Sequence, residues 1–396
     1  DGRRSGLASE HDAVRNGTAR LGLYEPTPSD ASRGRADLPQ GRVNMVAADR
    51  ALDLPKVLLH DHLDGGLRVS TVIDLAAEIG WNLPSTDQDD LQAWFTAGAA
   101  TRSLEMYLAT FEHTCAVMQH AEHIERVAAE AAVDLAADGV VYAEIRFAPE
   151  LHQQHGLELD VIVGAVTSGL RRGEAEATSP IIVNVILCAM RTEHRSLEIA
   201  QLVDRLRAWD DKVVAFDLAG AETGFPPSLH ADALAFARRS HQNITIHSSE
   251  PPDLELISDA LQHGAHRIGH GVRLQRDIDV GPDGEMVLGP LARYVLDHQV
   301  HLEMAPTCHV HVGAVDSIEA HPLAPMLRAG FNVGINTDNR LMSNVTPSSE
   351  LTAVAAAHHL SRTEMGRLAT NAMMSAFCPI EERQRIITEV LRPAYN

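Results

Sequence analysis

The fold is decided in residues 213–270, which read VVAFDLAGAETGFPPSLHADALAFARRSHQNITIHSSEPPDLELISDALQHGAHRIGH. Three short apolar runs, each bounded by turn residues, alternate here with two segments whose apolar residues recur at helical spacing. The runs are Val213–Leu218, Ile244–His247 and Arg267–His270, and the helical segments are Ala231–Arg239 and Leu254–His263. Strands that alternate with helices pair in parallel, so this stretch predicts consecutive β–α–β units.

The same alternation extends to both sides of this stretch. Five further runs are Val57–His60, Val140–Phe147, Ile181–Cys188, Val300–Met304 and Phe331–Asn336. The run Ile181–Cys188 is apolar throughout and also fits the start of a buried helix. Eight β–α units predict the α/β class and closure into a (β/α)8 TIM barrel. Three segments after the first run predict extra inserted helices, at Ser70–Ile79, Ser103–Met118 and Ile124–Ala137.

The chain has 396 residues, enough for one large α/β domain. Residues 1–50 show no sustained periodicity and are rich in turn residues, which predicts an N-terminal extension, with the barrel in residues 51–396. Neither a transmembrane span nor a secretory apolar segment is visible.

The charge of the chain bears on its partners. Lys and Arg number 33 against 54 Asp and Glu, a formal net charge of -21. Such a surface repels phosphate backbones and anionic lipid, so neither nucleic acid nor membrane is an expected partner. The four cysteines are widely spaced, as in a reduced cytoplasmic protein rather than a disulfide framework. The sequence makes no prediction of oligomeric state.

Potential metal ligands collect at the ends of the predicted strands, where such barrels carry their reactive groups. His60 and His62 end the first run, and residues two apart on a strand share a face. His247 ends the fifth run and Asp338 follows the eighth. Three nitrogens and one oxygen suit Zn²⁺ with a position left for water, so one zinc per chain is expected.

Two further residues can move protons at this site. Glu250 lies three residues beyond His247 and is a candidate acid; His270 ends the sixth run and is a candidate base, or orienting partner, for the water. Two-metal barrels of related hydrolytic type commonly use a bridging lysine at the end of strand four. Lys56 and Lys212 are the only lysines of the sequence and both precede strands, which favours one metal.

Five stretches together resemble the adenosine deaminase branch of the amidohydrolase superfamily, over almost the whole barrel. They are KVLLHDHLDGGLR (56–68), YAEIRFAPEL (142–151), VVAFDLAGAE (213–222), RIGHGV (267–272) and NTDN (336–339). The resemblance implies a zinc-dependent aminohydrolase that binds a small purine nucleoside, adds water at C6 and releases ammonia.

The resemblance also implies roles for individual residues. The metal ligands would be His60, His62, His247 and Asp338, and the catalytic residues Glu250, His270 and Asp338. The substrate contacts would be His62, Asp64, Gly220 and Asn339. Glu250 would protonate N1, Gly220 would offer its N–H to N3 and Asp64 would hold a ribose hydroxyl. Many members have a second Asp at the position of Asn339, and an amide can donate to N7 directly.

Two stretches depart from the family's usual pattern. His-Ala-Gly-Glu is replaced by His247-Ser248-Ser249-Glu250, and Cys-Pro-Thr-Ser-Asn-Val-Gln by the segment Ala305–His311, which reads APTCHVH. Both segments are expected to border the substrate, with His309 and His311 lining a loop. The sequence therefore predicts a retained metal and acid–base set within a changed pocket wall.

Several functions stay open at this point. The leading hypothesis is deamination of adenosine or a closely related 6-aminopurine nucleoside. Alternatives within the same chemistry are free adenine, an adenosine phosphate, and a nucleoside with an enlarged 5′ group such as aminodeoxyfutalosine. A non-catalytic, deaminase-like binding protein and a different hydrolase of the superfamily are the alternatives from other classes.

Overall fold

The computed structural model describes residues 51–281 and 285–396. The predicted extension, residues 1–50, lies outside the described residues. Eight parallel strands form one sheet in the order β1-β2-β3-β4-β5-β6-β9-β10, and β7 and β8 form a separate antiparallel hairpin. The strands are β1 (Lys56–His62), β2 (Val140–Phe147), β3 (Ile182–Met190), β4 (Val213–Ala219), β5 (Asn243–Ser248), β6 (Arg267–His270), β7 (Ile278–Val280), β8 (Met286–Leu288), β9 (His301–Met304) and β10 (Val333–Ile335).

Helices connect the strands and cover the outside of the sheet. Those before β6 are α1 (Val69–Ile79), α2 (Gln88–Ala99), α3 (Leu104–Ala109), α4 (Phe111–Val117), α5 (Ala121–Ala137), α6 (Leu159–Glu176), α7 (Ser196–Leu206), α8 (Ala231–Arg239) and α9 (Glu255–Gln262). Those after β6 are α10 (Pro290–Asp297), α11 (Pro306–His311), α12 (Leu323–Arg328), α13 (Arg340–Ser343), α14 (Pro347–His358), α15 (Arg362–Ser375), α16 (Ile380–Ile386) and α17 (Arg392–Tyr395). A π-helical turn, Ile387–Leu391, joins α16 to α17, and short 3₁₀ turns are Pro149–His152, Pro227–His230 and Val272–Asp277.

The seam between β10 and β1 closes the barrel through a few contacts. Asp338 pairs with β1: its N–H donates to the carbonyl of His60 (3.0 Å) and its carbonyl accepts from the N–H of His62 (2.7 Å). The side-chain Oδ1 of Asn336 accepts from the N–H groups of Leu59 (2.9 Å) and His60 (3.0 Å). The closure thus fixes Asp338 beside the two histidines of β1.

The TIM barrel predicted from the sequence is confirmed, including all eight strands. The ambiguous run Ile181–Cys188 is a strand, β3. The extra helices after the first strand are present as α1 and α3–α5, and α2 is an addition that the sequence analysis missed. The β7–β8 hairpin was also missed.

The core is one large cluster of buried apolar side chains between the sheet and the helices. All four cysteines are free of disulfide bonds. Among the described residues, none of the helices has the length and apolar character needed to cross a bilayer.

Candidate active site

Four predicted metal ligands meet at the carboxyl ends of the strands. One ligand atom from each of His60, His62, His247 and Asp338 can be chosen so that all lie within 4.8 Å of one another. The Nε2 atoms of His62 and His247 are 3.1 Å apart. Asp338 Oδ1 lies 3.4 Å from His60 Nε2 and 3.3 Å from His62 Nε2. Strand alternation places both β1 histidines on the barrel interior, as the sequence predicts.

Hydrogen bonds behind two of these histidines orient them toward a cation. His60 Nδ1 lies 2.9 Å from Glu303 Oε2, and His247 Nδ1 lies 3.2 Å from Asp217 Oδ1. A carboxylate only accepts, so each ring donates through Nδ1 and turns the lone pair of Nε2 to the common centre. His60 Nε2 is buried without a hydrogen-bond partner and faces the Asp338 carboxylate. Lone pairs that face a carboxylate repel one another, and a divalent cation between them removes that repulsion.

A buried arginine holds both supporting carboxylates. Arg146 donates through Nη1 to Asp217 and through Nη2 to Glu303, each at 2.8 Å. Glu303 also accepts from Arg267 Nε at 2.6 Å. Burial opposes ionisation of Glu303, but Arg146 and Arg267 lower its pKa to about 2. Arg146 is therefore a structural partner of the ligand set.

Glu250 is held at the rim of this cluster by its backbone. The carboxylate of Glu222 accepts from the N–H of Ser249 (2.6 Å) and of Glu250 (3.2 Å). Arg273 Nε donates to the carbonyl of Glu250 at 3.1 Å. Burial, and then the charges of Asp338 and Glu222, raise the pKa of Glu250 well above its ordinary value. A raised pKa favours the protonated carboxyl, which is the form that can serve as an acid.

His270 lies between the ligand cluster and Glu250. Its ring centroid is 4.8 Å from that of His60, and its Nε2 is 3.5 Å from Glu250 Oε2. Its other nitrogen, Nδ1, lies 3.1 Å from His309 Nε2. One edge of His270 therefore faces the reacting groups and the other faces the protein interior.

A cavity of about 280 Å³ opens onto the cluster. All four predicted substrate contacts line it: His62, Asp64, Gly220 and Asn339. Asp64 is buried, and burial raises its pKa to about 7. Gly220 has a φ of +92°, which favours glycine. The cavity therefore brings the predicted substrate contacts together with Glu250, His270 and Asp338.

Comparison with known proteins gives a consistent result. The family described as adenosine deaminase matches residues 55–393. Adenosine deaminase of Mycobacteroides abscessus is 48% identical over 346 residues, which are 86% of this chain and 95% of that protein. The chain belongs to the adenosine deaminase family.

Two more relatives agree with this assignment. Adenosine deaminase 1 of Streptomyces coelicolor is 46% identical over 374 residues, 93% of this chain and 94% of that protein. The crystal structure of an adenine deaminase from Arthrobacter aurescens superposes with a TM-score of 0.75 at 25% identity, covering 87% of this chain and 100% of that one. As a member of the adenosine deaminase family, the chain is a hydrolytic deaminase with a TIM barrel.

The two segments that depart from the usual pattern of the adenosine deaminase family differ in where they lie. Ser249 takes the left-handed conformation, with φ of +75°, at the position where the family usually has glycine. The segment 305–311 was predicted as a loop but is mostly helix α11, and His309 is fully buried instead of lining the cavity. Its neighbour Cys308 contacts the candidate acid, with Sγ 3.7 Å from Glu250 Oε1. Within the described residues, neither His309 nor His311 joins a set of three potential metal ligands.

Inserted helices supply much of the rest of the cavity wall in this adenosine deaminase family member. Leu108 of α3 and Phe111 and Cys115 of α4 line it, together with Leu151 and Met190. The wall is thus largely apolar, and most of its polar groups lie at the cluster of candidate ligands.

Several supporting residues were missed by sequence reasoning. Asp217 and Glu303 carried a signal, because each is a carboxylate within an apolar strand that would be buried without a partner. Glu222 and Arg273 follow strand ends and carried no comparable signal, since their partners are backbone groups of a distant turn.

Proposed function

We propose that this chain hydrolyses the 6-amino group of adenosine, or of a closely related 6-aminopurine nucleoside, to the 6-oxo product and ammonia, with one zinc ion per chain. The observation that carries the proposal is the convergence of His60, His62, His247 and Asp338, of which the last three line one cavity together with Glu250 and His270. The family relatives are named adenosine deaminase.

The donor set fits zinc. Three imidazole nitrogens and one carboxylate oxygen match a catalytic zinc site, and the orphaned Nε2 of His60 lacks a partner that the ion would provide. Bound there, the metal would supply an activated water by lowering its pKa to about 7.

The residues of the chain would then hold the purine and move protons. Glu250, whose raised pKa favours the protonated carboxyl, would donate to N1 and make C6 more electrophilic. The N–H of Gly220 would contact N3, and the amide of Asn339 would donate to N7. Asp338 would accept from the attacking water, with His270 acting on the same water as base or orienting donor.

The sugar side of the cavity favours a nucleoside over free adenine or a nucleotide. Asp64 Oδ1 lies 3.9 Å from His62 Nδ1. The Asp64 carboxyl would accept a hydrogen bond from a ribose hydroxyl, and free adenine has no such hydroxyl. The described lining has no Lys or Arg, whereas Asp64, Glu112, Glu250 and Asp338 all face the cavity. A phosphate would meet acidic side chains with no Lys or Arg among the described lining residues to pair with it.

A nucleoside with an enlarged 5′ group is the second candidate. The apolar side chains of Leu108, Phe111, Leu151 and Met190 line the same cavity, and the altered contacts at Ser249 and Cys308 adjoin Glu250. Such a wall accepts an apolar extension more readily than a charged one. We also propose that the protein works in the cytoplasm, where its four free cysteines would stay reduced.

A metal analysis and a substrate panel test the proposal. Elemental analysis should return one zinc per chain. Ammonia release should be fastest with adenosine, 2′-deoxyadenosine or a 5′-extended analogue, and slow with adenine and AMP. Comparable rates with AMP would contradict the reading of the acidic cavity, and two metals per chain would contradict the single site.

The variant Glu250→Gln tests the proton donor. It should keep its zinc while turnover falls roughly 10²- to 10⁴-fold, because an amide cannot protonate N1. Glu255→Gln, an exposed carboxylate in the first turn of α9, is the matched control and should keep the parental rate. Parental activity in Glu250→Gln would remove Glu250 from the mechanism.

A further inference from the structure

Three buried histidines form a hydrogen-bonded row behind the active site. His270 Nδ1 lies 3.1 Å from His309 Nε2, and His309 Nδ1 lies 2.8 Å from His321 Nε2. The row ends where the backbone N–H of Leu323 donates to His321 Nδ1 at 3.1 Å. All three rings are at most 1% exposed, and the planes of His309 and His321 differ by 1°.

The backbone N–H at the end of the row sets the direction of every hydrogen bond in it. A peptide N–H can only donate, so His321 Nδ1 must be the bare nitrogen of its ring. Burial lowers the pKa of His321 to about 3, so the ring is neutral and its one proton is on Nε2. That proton is donated to His309 Nδ1, which makes Nδ1 the acceptor of the second ring.

The same rule carries the direction to the active site. Burial, followed by the proximity of His321 and Arg273, lowers the pKa of His309 far below its ordinary value, so this ring is also neutral. With Nδ1 accepting, its proton is on Nε2 and is donated to His270 Nδ1. The ring proton of His270 then belongs on Nε2, the atom that faces Glu250 and the ligand cluster.

We propose that His309 and His321 are positioning residues that fix the ring orientation and tautomer of His270, so that His270 presents an N–H to the active site and acts there as a hydrogen-bond donor. This relay (His270, His309, His321 and the Leu323 N–H) decides between the two roles left open for His270. Its kinetic consequence rests on the proposed function, whereas the tautomer itself does not.

Reversal of the relay is unfavourable for a geometric reason. For His270 to accept a proton at a bare Nε2, its remaining proton must be on Nδ1 and both following rings must turn over their tautomers. His321 would then carry a proton on Nδ1, directly against the N–H of Leu323. Two donors would face each other in a dry interior, at a cost comparable to a lost buried hydrogen bond, about 1–3 kcal/mol.

The relay belongs to one of the segments in which this chain departs from the usual family pattern. His309 occupies the position where asparagine is usual, and it is held in α11 between His270 and His321. The departure at His309 therefore acts behind the catalytic histidine, outside the cavity lining.

Histidine ¹⁵N NMR of the full chain tests the tautomer directly. His270 should show an unprotonated Nδ1 and a protonated Nε2, and His309 and His321 should show the same pattern. A proton on Nδ1 of His270 would overturn the proposal whatever the activity of the enzyme. Absence of adenosine turnover together with the expected NMR pattern would instead contradict the proposed function alone.

Two substitutions at His321 separate donation from packing. His321→Phe keeps a planar ring but removes both nitrogens, so the single tautomer of His270 should be lost and kcat should fall roughly 10-fold, with KM within about 2-fold. His321→Gln can place an amide N–H near the position of Nε2, so it should restore the tautomer and most of kcat. His298→Phe, at an exposed site after α10, is the control and should change neither readout.

The outcomes at His321 are decisive in both directions. Equal loss of kcat in the Phe and Gln variants, with unchanged His270 resonances, would show a packing role and overturn the relay. Loss in the Phe variant with recovery in the Gln variant supports it. If the Phe variant fails to fold, the wild-type spectrum and the Gln variant still decide.

Discussion

Residues at the active site adopt backbone conformations that their side chains disfavour. Ser249, His270 and Asp338 have φ values of +75°, +64° and +58°. Each such residue costs about 1–2 kcal/mol relative to the ordinary region. The surrounding hydrogen bonds hold them there, as Glu222 does for the turn at Ser249. The geometry of the site therefore depends on strained backbone conformations that contacts with the rest of the barrel hold in place.

Ser249→Gly should release part of that strain. The change removes a Cβ from the left-handed region and a buried hydroxyl without a partner, while glycine adds entropy to the unfolded chain. We expect a net gain of about 1 kcal/mol in unfolding free energy, measured by urea denaturation, with turnover retained. Ser248→Gly, at the last residue of β5, is the control and should not give this gain, because Ser248 also has a buried hydroxyl without a partner but does not take the left-handed conformation. Equal effects at both serines would contradict the strain argument.

Gly65 keeps space for Asn339, the proposed partner of N7. A Cβ at residue 65 would lie 2.0 Å from Asn339 Oδ1, so Gly65→Ala must displace that side chain. Loss of one substrate hydrogen bond, about 1 kcal/mol, should lower kcat/KM roughly fivefold in a steady-state assay. Gly164→Ala in α6, where a Cβ meets no atom within 4 Å, should leave kcat/KM unchanged and stabilise the helix. An unchanged kcat/KM in Gly65→Ala would contradict a role for Asn339.

At the scale of elements, the sequence predicted the eight barrel strands because each is a compact apolar run bounded by turn residues. His60, His62, His247 and Asp338 could be expected at one end of the barrel because they stand at the carboxyl ends of three of these runs. Helix α2 had a usable signal that was not used, since Asp87 caps it and Leu91, Phe95 and Ala99 recur every four residues. The β7–β8 hairpin had little signal, because three-residue strands on a partly exposed ribbon show no sustained period.

The supporting contacts lay beyond sequence reasoning for a different physical reason. The Glu222 carboxylate accepts from backbone N–H groups 27 and 28 residues away. The N–H of Leu323 donates to the ring of His321, the last of the three hydrogen-bonded histidines. Backbone partners leave no mark on residue type, so only the folded chain reveals them. The closing of β10 onto β1 through Asn336 and Asp338 belongs to the same class.

Helix α14 packs onto α11, and the carboxyl of Glu350, in the first turn of α14, is buried at this contact. Burial raises the pKa of Glu350 to about 7 from 4.5, although hydrogen bonds from Thr307 oppose the shift. Between these two pH values the folded state binds a proton that the unfolded state has lost, so stability falls as pH rises from 4.5 to 7 and is constant above. The loss amounts to about 3 kcal/mol.

Glu350→Gln should remove this pH dependence. The variant should match the parent near pH 4.5 and exceed it by up to about 3 kcal/mol at pH 8, in urea unfolding at a series of pH values. Glu364→Gln is a control of opposite sign, because Arg328 and Ser361 lower the pKa of that carboxyl to about 2. Its parent loses stability as pH falls from 4.5 toward 2, so the variant should be weaker at pH 8 and match the parent below 2. A Glu350→Gln difference that does not vary with pH would contradict the burial argument.

At the scale of the whole molecule, the proposed ion joins distant parts of the barrel. His60 and His62 come from β1, His247 from β5 across the barrel, and Asp338 from the segment after β10. Without a cation, their lone pairs and carboxylate charge face one another in a buried site. A bound ion that the unfolded chain cannot hold in this way adds its binding free energy to the stability of the fold.

Removal of the metal should therefore destabilise the entire barrel rather than the site alone. At a zinc concentration 100 times Kd, binding contributes about 2.7 kcal/mol, so a chelator should lower Tm by about 4 °C and added zinc should restore it. His62→Ala, which breaks the ligand set, should start at the lower Tm and respond to neither treatment. Calorimetry with parallel metal analysis distinguishes the cases. A parent chain that loses its zinc while keeping its Tm would show that the ion does not contribute to the stability of the barrel, and that the hydrogen bonds of His60 to Glu303 and of His247 to Asp217 hold these two ligands without it.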